Sequence, residues 1–197
     1  MHVGKISKHC STLKAHRDEI EVVLEEKYLG DMITKDGNQT VNIKKRRSKC
    51  IGLTAEIISL LNILCLGRFY FKVAVILRQA MILSVMLTNC ETWLRLTKSD
   101  LERLESVDRM FLRKILHTST QTPKAALFLE LGVIPVRFII KAKRILFLHY
   151  ILNCNPNDMI YKFLFAQIDK PAKNDWCNVV EEDLESIGLS YLNIEDF

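Results

Sequence analysis

From Val41 onward the apolar residues recur at helical spacing. Ile43, Cys50, Leu53, Ile57, Leu60, Leu61 and Leu64 stand three, four or seven positions apart, or side by side, which predicts a long helix closed by Gly67. A second helix is predicted over about 68–87. Its apolar residues fall nearly all round, so a central, buried position is expected. Ser99 and Glu102 fit a capping box at the start of a third helix, with a stripe of Leu101, Leu104, Phe111, Leu112 and Ile115. Glu105 and Arg109 are spaced for an i,i+4 pair on it. Thr122-Pro123 reads as the N-cap and first turn of a short helix ending at Gly132. Pro135 opens a longer one, with Phe138, Ile145, Leu148 and Leu152 as its stripe, broken by Asn153-Cys154-Asn155-Pro156-Asn157. Helices near 158–167 and 176–187 complete the series, and Pro171–Asp175 reads as a linker.

Residues 1–36 follow a different rhythm. Met1–Gly4, Thr12–His16, Ile20–Leu24 and Tyr28–Thr34 are too short for helices and are separated by polar or turn residues, as strands would be. Lys35-Asp36-Gly37-Asn38 is a turn, after which Asn38 can cap the first helix. The fold class expected is therefore mainly α, a helical bundle with a small antiparallel β element at its N-terminal side.

Composition supports this. With 7 Gly and 4 Pro in 197 residues the chain is poor in turn formers, and 49% hydrophobic against 26% charged residues is an ordinary globular balance. The net charge of +5 is unevenly placed. None of the 28 Lys and Arg follows Lys173, whereas seven of the 23 acids do, so residues 1–173 carry 28 cations against 16 acids, or +12. A body that basic suits an acidic partner, nucleic acid being the commonest, or else a solvated basic face.

No two of the six cysteines lie within four residues, and none forms a ligand spacing with a histidine, which argues against a zinc site. Cys65 and Cys90, among Leu, Ile and Met, read as small core residues of a reducing, intracellular protein, nuclear or cytoplasmic. No secretory signal is expected in Met1–Ile20. Ile57–Leu66 is too short to span a bilayer, and Val73–Leu87 carries Arg78 and Gln79 in its middle, so both read as buried helices and no membrane partner is expected.

The densest chemistry is Lys44-Lys45-Arg46-Arg47-Ser48-Lys49. Five cations in six helical residues cannot all face a core, so several must form a positive band that phosphates would bind with salt-dependent, sequence-neutral affinity. The same residues also admit a solvated helix start or a nuclear-targeting signal. Against the bland reading, cations at a helix N-terminus oppose the macrodipole. Lys27-Tyr28-Leu29-Gly30 is a strand end at which Gly30 permits close backbone approach. Trp93 reads as a packing anchor, with base stacking as the alternative. Arg103, Arg109, Arg113, Lys114, Arg137, Lys141, Lys143 and Arg144 form a later basic set, open to structural and nucleic-acid readings alike. Catalysis has little to start from: there is no Asp-Asp pair, no Gly-rich phosphate loop, no nucleophile elbow, and the densest acids, Glu181-Glu182-Asp183, fall on a predicted surface helix.

Several strings, in order, resemble the C-terminal part of LINE-type (non-LTR) retrotransposon reverse transcriptases. His2-Val3-Gly4-Lys5, Cys10 and Leu13-Lys14 resemble the last palm strands. Glu26-Lys27-Tyr28-Leu29-Gly30-Asp31 with Asp36-Gly37 resembles the primer-grip hairpin. Asn42-Ile43 and the basic helix resemble the start of the thumb. Leu87-Thr88-Asn89-Cys90-Glu91-Thr92-Trp93, Leu96-Thr97-Lys98 and Leu104–Asp108 resemble its core. Thr122-Pro123, Leu129–Arg137, His149–Asn153 and Asp175-Trp176 resemble the helical extension beyond.

The resemblance implies a palm remnant with primer-grip hairpin over 1–37, a helical thumb over 38–118, a helical extension over 119–170, and an acidic helix and tail over 171–197. It implies an RNA-directed DNA polymerase whose grip steadies the primer end while the thumb follows the duplex. Tyr28, Leu29 and Gly30 would be the grip. Lys44, Lys45, Arg46, Arg47 and Lys49 are assigned to the nucleic-acid backbone by their charge. The family's metal-binding aspartates lie upstream of anything in this sequence, so the Mg²⁺ of the intact enzyme has no expected site, no cofactor is expected, and the chain is expected to be inactive alone. An RNA/DNA duplex and the missing palm are the partners implied. The alternative is a host-used helical domain that binds protein through exposed apolar surface.

Overall fold

The computed structural model describes residues 14–15, 18–19, 23, 25–28, 31–34, 38–94, 96–169 and 175–189. It is mainly helical, with two short antiparallel ladders on the N-terminal side. β1 (Lys14–Ala15) pairs with β2 (Asp18–Glu19), and β3 (Glu25–Tyr28) pairs with β4 (Asp31–Thr34) in a register that sets Glu25 opposite Thr34 and Tyr28 opposite Asp31. The segment expected as one strand, Tyr28–Thr34, is thus the end of one strand and the whole of the next. The expected strand at Met1–Gly4 and the turn at 35–37 lie outside the described residues.

α1 (Thr40–Ile63) has Gln39, not the expected Asn38, at its N-cap, with no side-chain capping bond; Asn38 lies one residue further out, where its side chain accepts the Thr40 N–H at 2.8 Å. Its buried face is Ile43, Arg46, Cys50, Thr54, Ile57 and Leu61, a strict three/four repeat; Leu60 and Leu64 are half-exposed. Cys65 takes a left-handed backbone (φ 44°) just past the helix, two residues earlier than the Gly67 expected there. Gly67 (φ 50°) instead opens the next helix. That helix runs Gly67–Met86: a 3₁₀ turn, α2 (Tyr70–Leu77), a π-helical stretch Arg78–Leu83, and α3 (Ser84–Met86).

The expectation that this second helix is central is overturned. One face, with Ala74, Arg78, Ile82 and Met86, is buried, while Phe69, Phe71 and Ile76 on the other face are about half-exposed. Among the described residues it is the one helix long and apolar enough to cross a membrane. Its single mid-helix charge, Arg78, is buried against Asp108 of the next helix and ties it into the bundle.

α4 (Lys98–Leu116) is capped by Thr97, not Ser99. The Thr97 hydroxyl accepts the Asp100 N–H at 3.1 Å and donates to the Asp100 carboxylate at 2.7 Å. Its buried stripe contains the predicted Leu104, Phe111, Leu112 and Ile115. α5 (Lys124–Leu131) follows Pro123 and ends on Gly132 in the left-handed region (φ 61°). α6 (Val136–Leu152) buries Val136, Ile140, Arg144, Leu148 and Ile151, whereas the expected Phe138 faces outward.

Two hydrophobic clusters hold the bundle. The larger joins α1, the Gly67–Met86 helix, α4, α5 and the first half of α6, with Trp93 and Phe111 among its largest buried side chains. The smaller joins the end of α6 to α7 (Met159–Asp169) and α8 (Trp176–Glu185) through Leu148, Leu164, Trp176, Val180 and Leu184. Trp176 Nε1–H donates to the Glu91 carbonyl at 2.7 Å and so stitches the second cluster to the first. Of the acids expected at the surface, Asp183 is buried and receives Arg144 at 2.9 Å.

Candidate nucleic-acid interface

The basic run splits by helical geometry. Ile43, Arg46 and Cys50 share the core-facing side of α1, because three or four residues make one turn. Lys44, Lys45, Arg47, Ser48 and Lys49 therefore stand on the outward side, and all are exposed. The four cations among them form no ion pair with a described residue.

Arg46 departs from the set assigned to the nucleic-acid backbone. Its guanidinium is buried and donates to the Val85 carbonyl at 3.0 Å, to the Asn42 side chain at 3.1 Å and to the Asp31 carboxylate. Its Cζ lies 5.3 Å from the centre of the Trp93 ring. A cation there meets the last carbonyls of α3 and a π face, and its charge is compensated inside the molecule. Trp93, 2% exposed, is a packing anchor and not a free stacking platform.

Asp31 joins the hairpin to the helices. Its carboxylate also accepts the Asn42 amide at 3.0 Å and the Asn89 amide at 2.7 Å. Burial alone would raise its pKa, but the hydrogen bonds from Asn89, Arg46 and Asn42, with the Arg46 charge, hold it below the ordinary carboxylate value. Tyr28 is paired opposite Asp31 in the ladder and is 61% exposed, so the residue expected to act in the grip is free for contact. Leu29 and Gly30, also assigned to the grip, lie outside the described residues. Tyr28, Asp31, Met32, Asn89, Thr92 and Trp93 border a cavity of about 270 Å³ beside the hairpin. Nothing in the sequence marked Asn42 or Asn89 as its supports, because each is a lone amide whose partner is distant in the chain.

A second depression, about 520 Å³, lies between the start of α1 and α4, lined by Lys44, Arg47, Ser99, Glu102, Arg103 and Ser106. Most of the later basic set is committed elsewhere. Arg103 binds Asp100 at 2.7 Å, Arg137 binds Glu105 at 2.5 and 2.7 Å, and Arg109 meets Glu105 at 3.3 Å and also Glu102. Lys141 and Arg144 meet Asp183, and Lys143 donates to the Leu87 carbonyl at 3.4 Å. Arg113 and Lys114 have no acidic partner among the described residues.

No family model, no curated protein and no solved structure matches the chain. Among the described residues no group of three or more His, Cys, Asp or Glu side chains is placed to hold a metal ion.

Proposed function

We propose that this chain is a thumb-and-grip module like the C-terminal end of a LINE-type reverse transcriptase, which binds a nucleic-acid duplex and performs no polymerase chemistry alone. One observation carries the reading: Lys44, Lys45, Arg47 and Lys49 are all turned to solvent on one helix without acidic partners among the described residues, while the fifth cation of the run is turned inward. Four like charges kept unpaired on adjacent turns repel one another, and a polyanion relieves that repulsion while releasing counterions. The Arg46–Asp31 contact supports the same reading, since it holds the Tyr28 hairpin against the helix that bears the cations. The domain limits at 37/38, 118/119 and 170/171 belong to this proposal.

The test is binding of a fluorescent RNA/DNA duplex at several salt concentrations. Affinity should fall steeply with salt, and Lys45→Glu with Lys49→Glu should weaken binding and flatten the slope by about one unit for each phosphate no longer neutralised. Equal binding by the double variant would overturn the proposal, as would template-dependent extension of a primer by the purified chain.

A second reading, a protein-interaction domain, draws on the outward face of the Gly67–Met86 helix. Phe69, Phe71 and Ile76 there expose apolar surface that water does not favour. Phe71→Asp with Ile76→Asp should then abolish partner binding and leave duplex affinity unchanged.

A further inference from the structure

At the far end of α4 lies a depression of about 480 Å³ lined by Met110, Arg113, Lys114, His117, Thr118 and Thr120. We infer that it is a phosphate-binding site, separate from the cations of α1. Its lining holds two permanent cations, an imidazole and two hydroxyls, and no acid. The two arginines in the middle of α4 are paired within the helix, Arg103 with Asp100 and Arg109 with Glu102 and Glu105. Arg113 and Lys114 break that habit.

Cations in a last helical turn suit the macrodipole, and that alone would account for their presence. It does not account for the polar atoms beside them. Arg113 Nε and the Thr118 hydroxyl are both shut off from solvent, and neither finds a hydrogen-bond partner. Buried donors are nearly always satisfied, so two orphans on one depression point to a missing acceptor. An oxyanion seated in the depression would neutralise Lys114 and Arg113, and a small turn of the Arg113 and Thr118 side chains that line it would bring both unpaired donors onto its oxygens.

The backbone holds this arrangement in place. His117 takes the left-handed conformation (φ 52°), its N–H reaches the Lys114 carbonyl at 3.4 Å, and the Thr118 N–H reaches the Arg113 carbonyl at 3.1 Å. This paired closure satisfies the Arg113 and Lys114 carbonyls, two of the last four of α4, so less negative charge faces an incoming anion. Tyr70 packs its ring on the His117 imidazole, with centroids 6.4 Å apart, and restricts that side chain too.

The position suggests where the phosphate comes from. Ser99, Arg103, Ser106, Met110, Arg113 and His117 recur at three and four residues, so they form one partly exposed stripe along α4 and its C-cap, about 27 Å long. Its near end borders the Lys44–Arg47 depression and its far end is the site described here. A polynucleotide backbone lying on α1 would continue along this stripe; that assignment rests on the proposed duplex binding, whereas the phosphate site itself does not.

Nuclear magnetic resonance on the full chain distinguishes the two. Inorganic phosphate should shift the Thr118 and His117 signals saturably, and Lys114→Gln or Thr118→Val should weaken that response at least threefold. Lys114 is exposed, so its variant keeps the fold and the test. Phosphate that leaves both signals unmoved, or a response unchanged in both variants, would overturn the site. A duplex oligonucleotide should move the same signals, and its affinity should drop at least threefold in Lys114→Gln. Response to phosphate without response to duplex would keep the site and overturn the duplex reading. Duplex binding that depends on Lys45 and Lys49 and ignores Lys114 and Thr118 would keep the duplex reading and overturn the path of the backbone along α4.

Discussion

Asp108 receives the guanidinium of Arg78 through two parallel bonds, Nε to Oδ1 at 2.7 Å and Nη2 to Oδ2 at 2.8 Å, with both side chains inside the bundle. Arg78 also donates to the Ile134 carbonyl at 3.1 Å, so a single side chain joins the Gly67–Met86 helix, α4 and the entry to α6. Such a fork satisfies a planar carboxylate with fixed geometry. Removing one partner leaves the other charge buried and alone. Asp108→Ala should therefore cost about 3–5 kcal/mol, while the apolar pair Arg78→Met with Asp108→Leu should cost much less. Urea denaturation of the three proteins checks this; equal losses in the single and double variants would show that packing, not the unpaired charge, dominates.

The neighbouring cations of α1 should behave in opposite ways. Arg46→Met removes bonds to Asp31, Asn42 and Val85 and the contact with Trp93. It should cost about 2–3 kcal/mol, less than the Asp108 change because Asp31 is partly solvated. Lys45→Met, one residue away on the outward face, should leave the denaturation midpoint in place. Two equal midpoints would contradict the orientation of the helix.

Acid should loosen the molecule through three carboxylates. Burial pushes Asp31, Asp100 and Glu105 upward, but their partners outweigh it and leave each below its ordinary value. For Asp100 those partners are Thr97, Thr40 and Arg103, and for Glu105 they are Arg137 and Arg109. A folded pKa below the unfolded one means that the folded state binds fewer protons. The stabilisation is complete above the unfolded values, about pH 4, and is lost as pH falls through the folded ones. The denaturation midpoint should be flat down to about pH 5 and then decline. Asp31→Asn should start lower at neutral pH and decline less; an identical decline would remove Asp31 from this account.

The helix cap offers a sharper check on local structure. Thr97→Ala should cost about 1 kcal/mol, because its hydroxyl serves both the Asp100 amide and the Asp100 carboxylate. Ser99→Ala, two residues on and exposed, should change little. The opposite ranking by thermal denaturation would restore Ser99 as the cap.

Both Ser99-x-x-Glu102 and Thr97-x-x-Asp100 satisfy a capping pattern, and the sequence does not choose between them. The choice falls to tertiary structure: Thr40 of α1 donates to the Asp100 carboxylate at 2.9 Å and fixes the register of α4 from outside it. The same division runs through the molecule. Helix after helix was legible in the spacing of apolar residues, because a 3.6-residue period is a local property of the chain. So were the Glu105–Arg109 pair and the left-handed Gly132. What was not legible is which side of each helix meets a neighbour. Phe71 and Phe138 are as apolar as Phe111, yet only Phe111 is buried. Cys65 and Cys90 sit in similar strings, yet Cys65 is exposed, while burial pushes the Cys90 thiol up to about 11. The candidate interface divides likewise. Composition determined that residues 44–49 carry a band of cations too dense for any core. Only the packed structure decided that Arg46 leaves the band for Asp31 and Trp93, because those partners are 15 and 47 positions away in the chain and meet it only when the hairpin and helices close together.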